Sequence, residues 1–329
     1  MDEFILRIPA STSNLGSGFD AFGLALPLYL TIKARRLAAG RDEFSFAGEV
    51  PSGAVDGNNG DNLFCRTFRR GLAVFGAGGQ RPGYRFEIYN AIPLQRGLGS
   101  SGACVVGALL AALLVGGRLT VTDEQLLALA REIEGHADNV TPALHGGFTI
   151  SLAAGEEFYS RHYPVLPALQ VLVVIPELRL ATAESRRVLP KTVPLAAAGE
   201  NVARAALLVT ALLLGDLTVL RPAVGDRLHQ PYREKLLPYL APLTALSYEH
   251  GSLATFLSGS GSALICLLQG DGRQLGTRLC QALKTDFALE AAYRLLTPAN
   301  DGALVGTPAG GEVPWREARD WLAGQGWRA

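Results

Sequence analysis

Residues 92–112 read IPLQRGLGSSGACVVGALLAA, a glycine- and serine-rich turn that runs directly into an apolar segment. The apolar run over 104–115 predicts a buried helix that begins near Ser101. A helix start leaves backbone N–H groups without partners and carries partial positive charge, which suits a phosphate group. Gly97 and Gly99 would let the backbone approach such an anion because they lack a Cβ. The alternative interpretation is that the small residues only allow the helix to pack closely on a sheet.

Two common nucleotide-binding motifs do not fit this turn. The sequence GLGSSGA lacks the G-K-[ST] ending of a P-loop, and it is not a G-x-G-x-x-G stretch before a helix. The turn still offers polar groups to a phosphate, namely the hydroxyls of Ser100 and Ser101 and the positive charge of Arg96. The two serine hydroxyls also offer a possible metal ligand.

Composition narrows the class of ligand. The 329-residue chain is 48% hydrophobic, enough for two cores, and its 30 basic and 30 acidic residues cancel. No overall field favours nucleic acid or a membrane surface, so a small molecule is the expected partner.

The longest apolar runs, near 104–115 and 205–214, are about a dozen residues, short of the roughly 20 needed to span a bilayer. With no signal peptide and no zinc-type cysteine spacing, the sequence predicts a cytoplasmic protein.

Hydrophobic periodicity predicts the order of strands and helices. Thr122 and Gln125 fit a capping box and Gly135 fits a helix stop, which together bound one helix. Strands are grouped with neighbouring strands instead of alternating strictly with helices, so the prediction is an α+β fold. A polar, proline-bearing stretch at 155–168 predicts a boundary between two domains, 1–160 and 161–329. The predicted strands are FILRI, LYLTIKARRL, FSFAGEV, YRFEIYNAI, GGFTISLA, ALQVLVVIP, the two arms of SLATFLSGSGSALICLL, EAAYRLLTP and GALVG.

Several motifs together resemble one protein family. PLQRGLGSSGA closely resembles the ATP loop of the GHMP kinases, and PASTSNLGSGFDAFGLAL at 9–26 resembles the N-terminal signature of the branch that phosphorylates homoserine. EIEGHADNVTPALHGGF, SRRVLP, QPYREKLLP and LSGSGSALI follow in the expected order, so the resemblance covers the chain to about residue 306. It implies an N-terminal domain like ribosomal protein S5 domain 2, a C-terminal ferredoxin-like domain, and a site in the cleft between them.

The resemblance also implies an activity. It points to an ATP-dependent, Mg²⁺-requiring kinase that converts the hydroxyl of L-homoserine to a phosphate ester, a step towards threonine. Two alternatives remain open: a kinase for another small alcohol, and a relative that binds ligands without catalysis. A homodimer is also left open, and no nucleic acid or membrane partner is expected.

The resemblance assigns the nucleotide and metal residues. Ser101 and Glu134 are the implied Mg²⁺ ligands, and Glu134 stands at the C-terminal end of its predicted helix, where the dipole disfavours a carboxylate unless a cation is bound. Asn62 is expected near the adenine or ribose, although an asparagine before an apolar run equally suits a helix N-cap. The implied nucleotide-binding residues are Asn62, Arg96, Gly97, Leu98, Gly99, Ser100, Ser101 and Gly102.

Homoserine is a zwitterion, so its site needs cations for the carboxylate and an anion for the ammonium. The resemblance gives the first task to Arg186 and Arg233, since a guanidinium can hold a carboxylate with two hydrogen bonds. Spacing alone does not separate Arg186 from Arg187. Asp20 is expected to pair with the ammonium. The remaining implied residues are Asn14 at the reacting hydroxyl, His136 in the substrate pocket, and Asp138 and Arg186 as catalytic residues, with Asp138 the candidate general base.

Overall fold

The computed structural model describes residues 2–38, 41–50, 62–76, 81–155, 157–166, 168–307 and 310–324. Within these ranges the strands are β1 (Glu3–Ser13), β2 (Phe22–Arg36), β3 (Glu43–Gly48), β4 (Tyr84–Asn90), β5 (Phe148–Ala154), β6 (Glu157–Tyr163), β7 (Leu169–Pro176), β8 (Ala254–Leu257), β9 (Leu264–Gln269), β10 (Ala291–Leu296), β11 (Leu304–Gly306) and β12 (Glu312–Pro314). The predicted α+β class is confirmed.

The α-helices lie between and after these strands. They are α1 (Leu63–Phe75), α2 (Ser100–Gly116), α3 (Asp123–Glu134), α4 (Val140–His145), α5 (Thr182–Arg187), α6 (Leu195–Leu214), α7 (Leu220–Ala223), α8 (Gln230–Arg233), α9 (Leu240–Glu249), α10 (Arg273–Phe287) and α11 (Trp315–Gly324). The predicted bounds of α3 are confirmed: Thr122 and Gln125 form the capping box, and Gly135 ends the helix in the left-handed conformation. The sequence of the C-terminal stretch PWREARDWLAGQGWRA predicts a short surface helix and a tail, and its residues 325–329 lie outside the described ranges.

The first sheet runs in the order β12-β11-β1-β2-β4-β3, with β5 paired to β2 and β6 paired to β5. Every pairing is antiparallel except that of β3 with β4, which α1 connects. The apolar helix α2 is buried along almost its whole length, and it packs against α1 and β1. This central position fixes the N-terminal end of α2 relative to the sheet.

The second sheet is antiparallel, with the order β10-β7-β9-β8. Helices α5–α9 connect β7 to β8, β8 and β9 form a hairpin, and α10 connects β9 to β10. This βαββαβ arrangement confirms the expected ferredoxin-like topology of the C-terminal part. The buried turn at 258–263, between β8 and β9, is held close to the N-terminal part of the chain, where Ala263 N–H donates to the Arg96 carbonyl.

The chain departs from the predicted organisation at two places. The stretch at 155–168, predicted as a polar connection, contains strand β6, which pairs along its whole length with β5. Strands β11 and β12 return to the first sheet, where β11 pairs with β1. The domain bounds 1–160 and 161–329 stay a prediction.

Helix α6 begins before the apolar run at 205–214. It starts at Leu195 and has 20 residues with a mean hydropathy of 1.4, so by length and composition alone it could cross a membrane. Its first half contains Glu200, Asn201 and Arg204, so the apolar run within it is still the short one at 205–214. Polar contacts nevertheless fix α6 to the rest of the fold: the buried Asn201 Nδ2 donates to the Ser17 carbonyl at 2.7 Å, and Glu200 pairs with Arg227.

Candidate active site

A cleft of about 550 Å³ brings together segments from both halves of the chain. Its walls include residues of the N-terminal loop (14–20), the glycine loop (95–101), the segment after α3, helix α5, helix α8 and the turn after β8. Of the residues that the sequence analysis assigned to a site, those that line this cleft are Asn14, Asp20, Asn62, Gly97, Leu98, Gly99, Ser100, Ser101, Glu134, His136, Asp138, Arg186 and Arg233.

The glycine loop owes its shape to close packing inside the protein. Gly97 and Gly99 have φ angles of +74° and +67°, a region that favours glycine. A Cβ on Gly97 would lie 2.0 Å from the Ser258 carbonyl oxygen, and one on Gly99 would lie 2.0 Å from Ser11 Oγ. Both glycines are therefore required by close packing against the turn after β8 and against β1, and their part in nucleotide binding stays a prediction. The same geometry leaves the start of α2 at the cleft, where no side chain caps the helix.

Ser101 and Glu134 meet beside the start of α2. Ser101 Oγ donates to Glu134 Oε2 at 2.7 Å. Burial raises the pKa of the Glu134 carboxyl, although the Ser101 hydrogen bond acts in the opposite direction. Among the side chains in the described ranges, no Lys or Arg forms an ion pair with Glu134. A hydroxyl and a carboxylate oxygen at this separation are the hard donors that Mg²⁺ prefers, so the donor set fits such an ion.

The donor set is nevertheless incomplete by itself. In the part of the chain that the structure describes, no group of three or more His, Cys, Asp or Glu side chains is arranged to hold a metal ion. Mg²⁺ commonly takes one or two protein oxygens and completes its shell with waters and substrate phosphates. An ion at Ser101 and Glu134 would therefore depend on the phosphates of a nucleotide.

The segment after α3 places a histidine against a buried carboxylate. His136 Nδ1 lies 2.8 Å from Asp138 Oδ1, in an ionic contact without well-aligned hydrogen-bond geometry. Burial lowers the pKa of His136, but the Asp138 and Glu134 carboxylates together outweigh burial and the net shift is upward. Asn139 Nδ2 donates to the same Asp138 oxygen at 3.2 Å and also to Ser13 Oγ. Asp138 is thus held rigidly at the wall of the cleft.

Asp20 and Arg186 pair directly across the cleft. Arg186 Nη2 donates to Asp20 Oδ1 at 2.7 Å, and Nη1 donates to Oδ2 at 3.1 Å. The backbone of the N-terminal loop supports this arrangement with unusual dihedrals, since Asn14 and Asp20 both have positive φ. Asn14 Oδ1 accepts from the Asp20 amide at 2.9 Å, and Asn14 Nδ2 donates to the Gly259 carbonyl at 3.0 Å. Arg187, by contrast, is exposed and does not line the cleft.

Arg233 is buried, with 2% of its surface exposed, yet no carboxylate among the described residues forms an ion pair with it. Its acceptors are neutral: Nη1 donates to the Gly259 carbonyl at 2.7 Å and to His229 Nδ1 at 3.0 Å, and Nε reaches the Ser185 carbonyl at 3.5 Å. Burial, reinforced by the neighbouring Arg186, lowers the pKa of Arg233 to about 10. Its Nη2 has no acceptor in the described parts of the chain, so this buried cation can take an anionic ligand from the cleft.

Both interpretations of Asn62 are compatible with its position. Its side-chain oxygen accepts from the Phe64 amide at 2.8 Å, which makes it the N-cap of α1. It also lines the cleft, near the apolar side chains of Phe46, Leu63 and Ile88. These apolar groups form a surface suited to a flat aromatic ring such as adenine.

Two of the assigned residues lie outside the cleft wall. The Arg96 side chain lies near the charges of Arg179 and Glu49, and its Nη1 is buried without a hydrogen-bond partner in the described ranges. Burial and Arg179 lower the pKa of Arg96. Gly102 is buried in the first turn of α2, where a Cβ would lie 3.0 Å from Asn139 Cβ. Their assignment to nucleotide binding stays a prediction.

The sequence analysis assigned no role to Thr182 or His229, and it included Ser260 only within the LSGSGSALI motif. Thr182 and Ser260 line the cleft, and their hydroxyls lie 3.4 Å apart. His229 is completely buried behind Arg233. The i, i+4 spacing of His229 and Arg233 in HQPYR was the one local signal for this contact. Thr182 had no local signal of this kind, whereas Ser260 belongs to the LSGSGSALI motif on which the family resemblance partly rests.

Comparisons with known proteins agree with this architecture. The family described as GHMP kinases N terminal domain matches residues 62–147, and GHMP kinases C terminal matches residues 208–285. The chain is 37% identical to a homoserine kinase of Aquifex aeolicus over 304 residues, which cover 91% of this chain and 98% of that protein. It is also 37% identical to a homoserine kinase of Moorella thermoacetica, over 92% and 99% of the two chains. The crystal structure of a homoserine kinase from Cytophaga hutchinsonii matches with a TM-score of 0.80 at 25% identity, over 93% and 98% of the two chains.

Proposed function

This chain belongs to the GHMP kinase family and is therefore an ATP-dependent small-molecule kinase, and we propose that its acceptor is L-homoserine. One observation carries the choice of acceptor: a carboxylate and two guanidiniums, of Asp20, Arg186 and Arg233, line a single cleft. An α-amino acid presents the complementary ammonium and carboxylate within one small molecule. The curated relatives named homoserine kinase over nine-tenths of this chain support the same acceptor.

The substrate clamp follows from the charges of these groups. Arg233 takes the homoserine carboxylate because it is buried, cationic and without an anionic partner of its own in the described ranges. Asp20 takes the ammonium, exchanging part of its contact with Arg186 for the ligand. Asn14 and His136 orient the side-chain hydroxyl towards the start of α2. An acceptor that lacked the carboxylate would leave the buried Arg233 without an anionic partner.

The nucleotide occupies the other end of the cleft. Its adenine lies on the apolar surface that includes Phe46 and Ile88, close to Asn62. Its phosphates lie at the start of α2, where the amides of Ser100 and Ser101 and the positive end of the helix dipole favour anions. Ser101 and Glu134 would hold Mg²⁺, which supplies positive charge to the phosphate oxygens when bound.

The chemical step is an in-line transfer between two oxygens. The homoserine hydroxyl oxygen forms a bond to the γ-phosphorus while the bond from phosphorus to the β,γ-bridging oxygen breaks, so the products are O-phospho-L-homoserine and ADP. The hydroxyl proton passes to the Asp138 carboxylate, which His136 and Asn139 orient. Arg186 offers positive charge to the transferring group. Since such transition states are loose, alignment and charge stabilisation contribute more than the base.

A coupled assay of ADP release tests the proposal. The purified chain is given ATP, Mg²⁺ and one alcohol at a time: L-homoserine, mevalonate, galactose and 4-hydroxybutyrate. Homoserine should give the highest kcat/KM, and phosphorus NMR should identify the phosphate monoester of its hydroxyl. A higher kcat/KM for mevalonate or a sugar would place the chain with another acceptor in the family. ATP binding by calorimetry with no turnover of any alcohol would indicate a non-catalytic relative.

The proposal also includes a requirement for Mg²⁺, assembly as a homodimer and location in the cytoplasm. The Mg²⁺ requirement is tested by activity after exhaustive treatment with a chelator and readdition of the ion. A homodimer is tested by light scattering on the eluting protein. Location in the cytoplasm, as for an enzyme that uses cytoplasmic ATP, is tested by fractionation of the source cells.

A further inference from the structure

His229 stands at the junction of three segments of the site and yet does not line the cleft. It has 0% exposure, and its ring stacks on Phe19 with centroids 5.2 Å apart. Its Nε2 lies 2.8 Å from the Gly16 carbonyl oxygen in the N-terminal loop. Its Nδ1 lies 3.0 Å from Arg233 Nη1. Both ring nitrogens of this buried imidazole therefore contact different parts of the site. The ring can fix the position of the Arg233 guanidinium relative to the N-terminal loop.

The two partners determine the protonation state of the ring. A guanidinium has donors and no acceptor, so His229 Nδ1 must accept from Arg233. A backbone carbonyl has only acceptor capacity, so Nε2 must carry the proton and donate it to Gly16. The ring is therefore neutral, with its hydrogen on Nε2. Protonation would put an N–H on Nδ1 against the Arg233 N–H group.

The surroundings of the ring keep it neutral. Burial, with the Arg233 charge in the same direction, lowers the pKa of His229 to about 4, and the opposing effect of Asp226 is smaller than burial. Asp226 Oδ2 lies 3.4 Å from Nε2, but the Asp226 carboxylate already accepts backbone N–H groups of Leu228, His229 and Gln230 at 2.6–2.9 Å. Phe19 covers the ring face. The Asp226 carboxylate thus forms its hydrogen bonds with the backbone of the turn before α8.

A neutral acceptor has an advantage over a carboxylate at this place. A carboxylate beside Arg233 would fix the guanidinium and at the same time cancel its charge. The imidazole fixes it with a directed hydrogen bond and leaves the full positive charge for a ligand. The other two acceptors of Arg233, the carbonyls of Gly259 and Ser185, are neutral as well.

We propose that His229 is a positioning residue: it holds the Arg233 guanidinium in its substrate-binding orientation through Nδ1, and it ties that guanidinium to the N-terminal loop through Nε2. This inference rests on the proposed role of Arg233 as the ligand of the homoserine carboxylate. The same ring contacts the loop that carries Asn14 and Asp20, so one side chain sets the spacing between the carboxylate subsite and the ammonium subsite.

Two variants separate the two contacts of the ring. In His229→Asn the side-chain oxygen takes the place of Nδ1, so the acceptor for Arg233 is kept and the donor to Gly16 is lost. In His229→Gln the amide nitrogen reaches the place of Nε2, so the donor to Gly16 is kept and the acceptor for Arg233 is lost. We expect His229→Gln to raise the KM for homoserine by about ten- to a hundredfold, with the KM for ATP and kcat changed far less. His229→Asn should raise the homoserine KM at least fivefold less than His229→Gln does.

A substrate without a carboxylate provides the control. 3-Aminopropan-1-ol keeps the hydroxyl and the ammonium, so its kcat/KM should be similar in His229→Gln and in the unaltered protein. Equal effects of the Asn and Gln variants on homoserine would overturn the inference, as would an equal loss with 3-aminopropan-1-ol. If Arg233→Ala leaves the homoserine KM unchanged, the proposed carboxylate site itself is wrong. If Arg233→Ala raises that KM and His229→Gln does not, only the role of His229 is wrong.

A measurement on the unaltered protein covers the case in which the variants do not fold. Nitrogen NMR of protein labelled at its five histidines reports the tautomer of each ring. We expect the signals of two rings, those of His145 and His229, to stay unchanged between pH 8 and pH 5, and the His229 ring, identified by through-bond assignment, to have a protonated Nε2 and an accepting Nδ1. Titration of the His229 ring in this interval, or a protonated Nδ1 on it, would contradict the proposal.

Discussion

Asp20 and Arg186 lie 166 positions apart in the chain and yet form a two-pronged ion pair in the cleft, with distances of 2.7 and 3.1 Å. Both side chains are 38% exposed, so the pair is open to exchange with a charged ligand. Arg233, only 2% exposed, has neutral acceptors alone among the described residues. Asp20 therefore neutralises the charge of Arg186, whereas the charge of Arg233 remains available for an anionic ligand.

Replacing Asp20 tests the ammonium subsite. We expect Asp20→Asn to raise the KM for homoserine by about tenfold or more, because a charge-assisted contact is lost while the side-chain shape is kept. The KM for ATP should stay within about twofold of its original value. Asp271→Asn, at an exposed aspartate on the protein surface, is the matched control. An unchanged homoserine KM in Asp20→Asn would indicate an acceptor without an amine.

The adjacent arginines of α5 should behave differently. Arg186 lines the cleft and Arg187 is exposed outside it. Arg186→Ala should lower kcat/KM for homoserine by about a hundredfold, because positive charge at both the substrate and the transferring group is removed. Arg187→Ala should stay within about twofold. Steady-state kinetics of the two variants decide the matter, and the reverse order would exclude the assigned role of Arg186.

Glu134 should govern the metal requirement. Glu134→Gln removes the carboxylate that lies 2.7 Å from the Ser101 hydroxyl, so the Mg²⁺ concentration for half-maximal velocity should rise by about tenfold or more. Glu132→Gln, two residues earlier on the exposed side of the same helix, provides the control. Equal Mg²⁺ dependence in the two variants would remove Glu134 from the metal site.

Substitution by alanine should destabilise the protein more at Gly97 than at Gly251, a glycine whose positive φ is its only constraint. A Cβ on Gly97 would lie 2.0 Å from the backbone oxygen of Ser258, whereas Gly251, at φ +87°, has no atom within 4 Å of such a Cβ. Gly251→Ala should lower the free energy of unfolding by about 1–2 kcal/mol from backbone strain alone. Gly97→Ala should lower it by clearly more. Urea unfolding of both variants measures the difference, and equal losses would mean that the loop relaxes freely.

Acid should destabilise the fold through His145. Burial lowers the pKa of His145 to about 4, although Asp123 acts in the opposite direction, and His162 stacks on its ring. Glu124 and Arg319 are the other charged groups that act on it. Above pH 6.5 the ring is neutral in both the folded and the unfolded chain, so it has no effect there. Between pH 6.5 and about 4 only the unfolded chain takes up the proton, and the free energy of unfolding falls by about 1.4 kcal/mol per pH unit.

Comparison of two histidine variants checks this expectation. His145→Gln should show a shallower decline in unfolding free energy between pH 6.5 and pH 4 than the unaltered protein. The decline that remains includes the buried His229, whose pKa is also about 4. His250→Gln, at an exposed histidine, should keep the original slope. A parallel decline in all three proteins would show that His145 does not control it.

Local signals in the sequence predicted local structure well. The capping residues of α3 and the buried helix α2 were predicted correctly, because each depends on residues close together in the chain. Strand β6 was missed because EFYSRHY is rich in charged and exposed residues. Its strand conformation depends on pairing with β5. The apolar run at 205–214 did not show that α6 begins ten residues earlier, because LAAAG offers small residues without a clear apolar face.

The site was less accessible to sequence reasoning, since its geometry comes from contacts between distant segments. The acceptors of Arg233 at Gly259 and Ser185 are separated from it by 26 and 48 positions. The choice between Arg186 and Arg187 depends on the direction of α5 relative to the N-terminal loop, which no local pattern contains. The surroundings of Arg96 likewise include Arg179 and Glu49, which are distant from it in the sequence.

The pairing of β1 with β11 has a consequence for synthesis of the chain. Leu6, near the N-terminus, pairs with Val305, and Arg7 is bonded to Glu312 across 305 positions. At translation rates of about 5–20 residues per second, roughly 15–60 s separate the emergence of the two strands from the ribosome. Throughout that interval one side of β1 presents unpaired N–H and C=O groups to any neighbouring strand. The first strand to be made thus acquires its outer neighbour almost last.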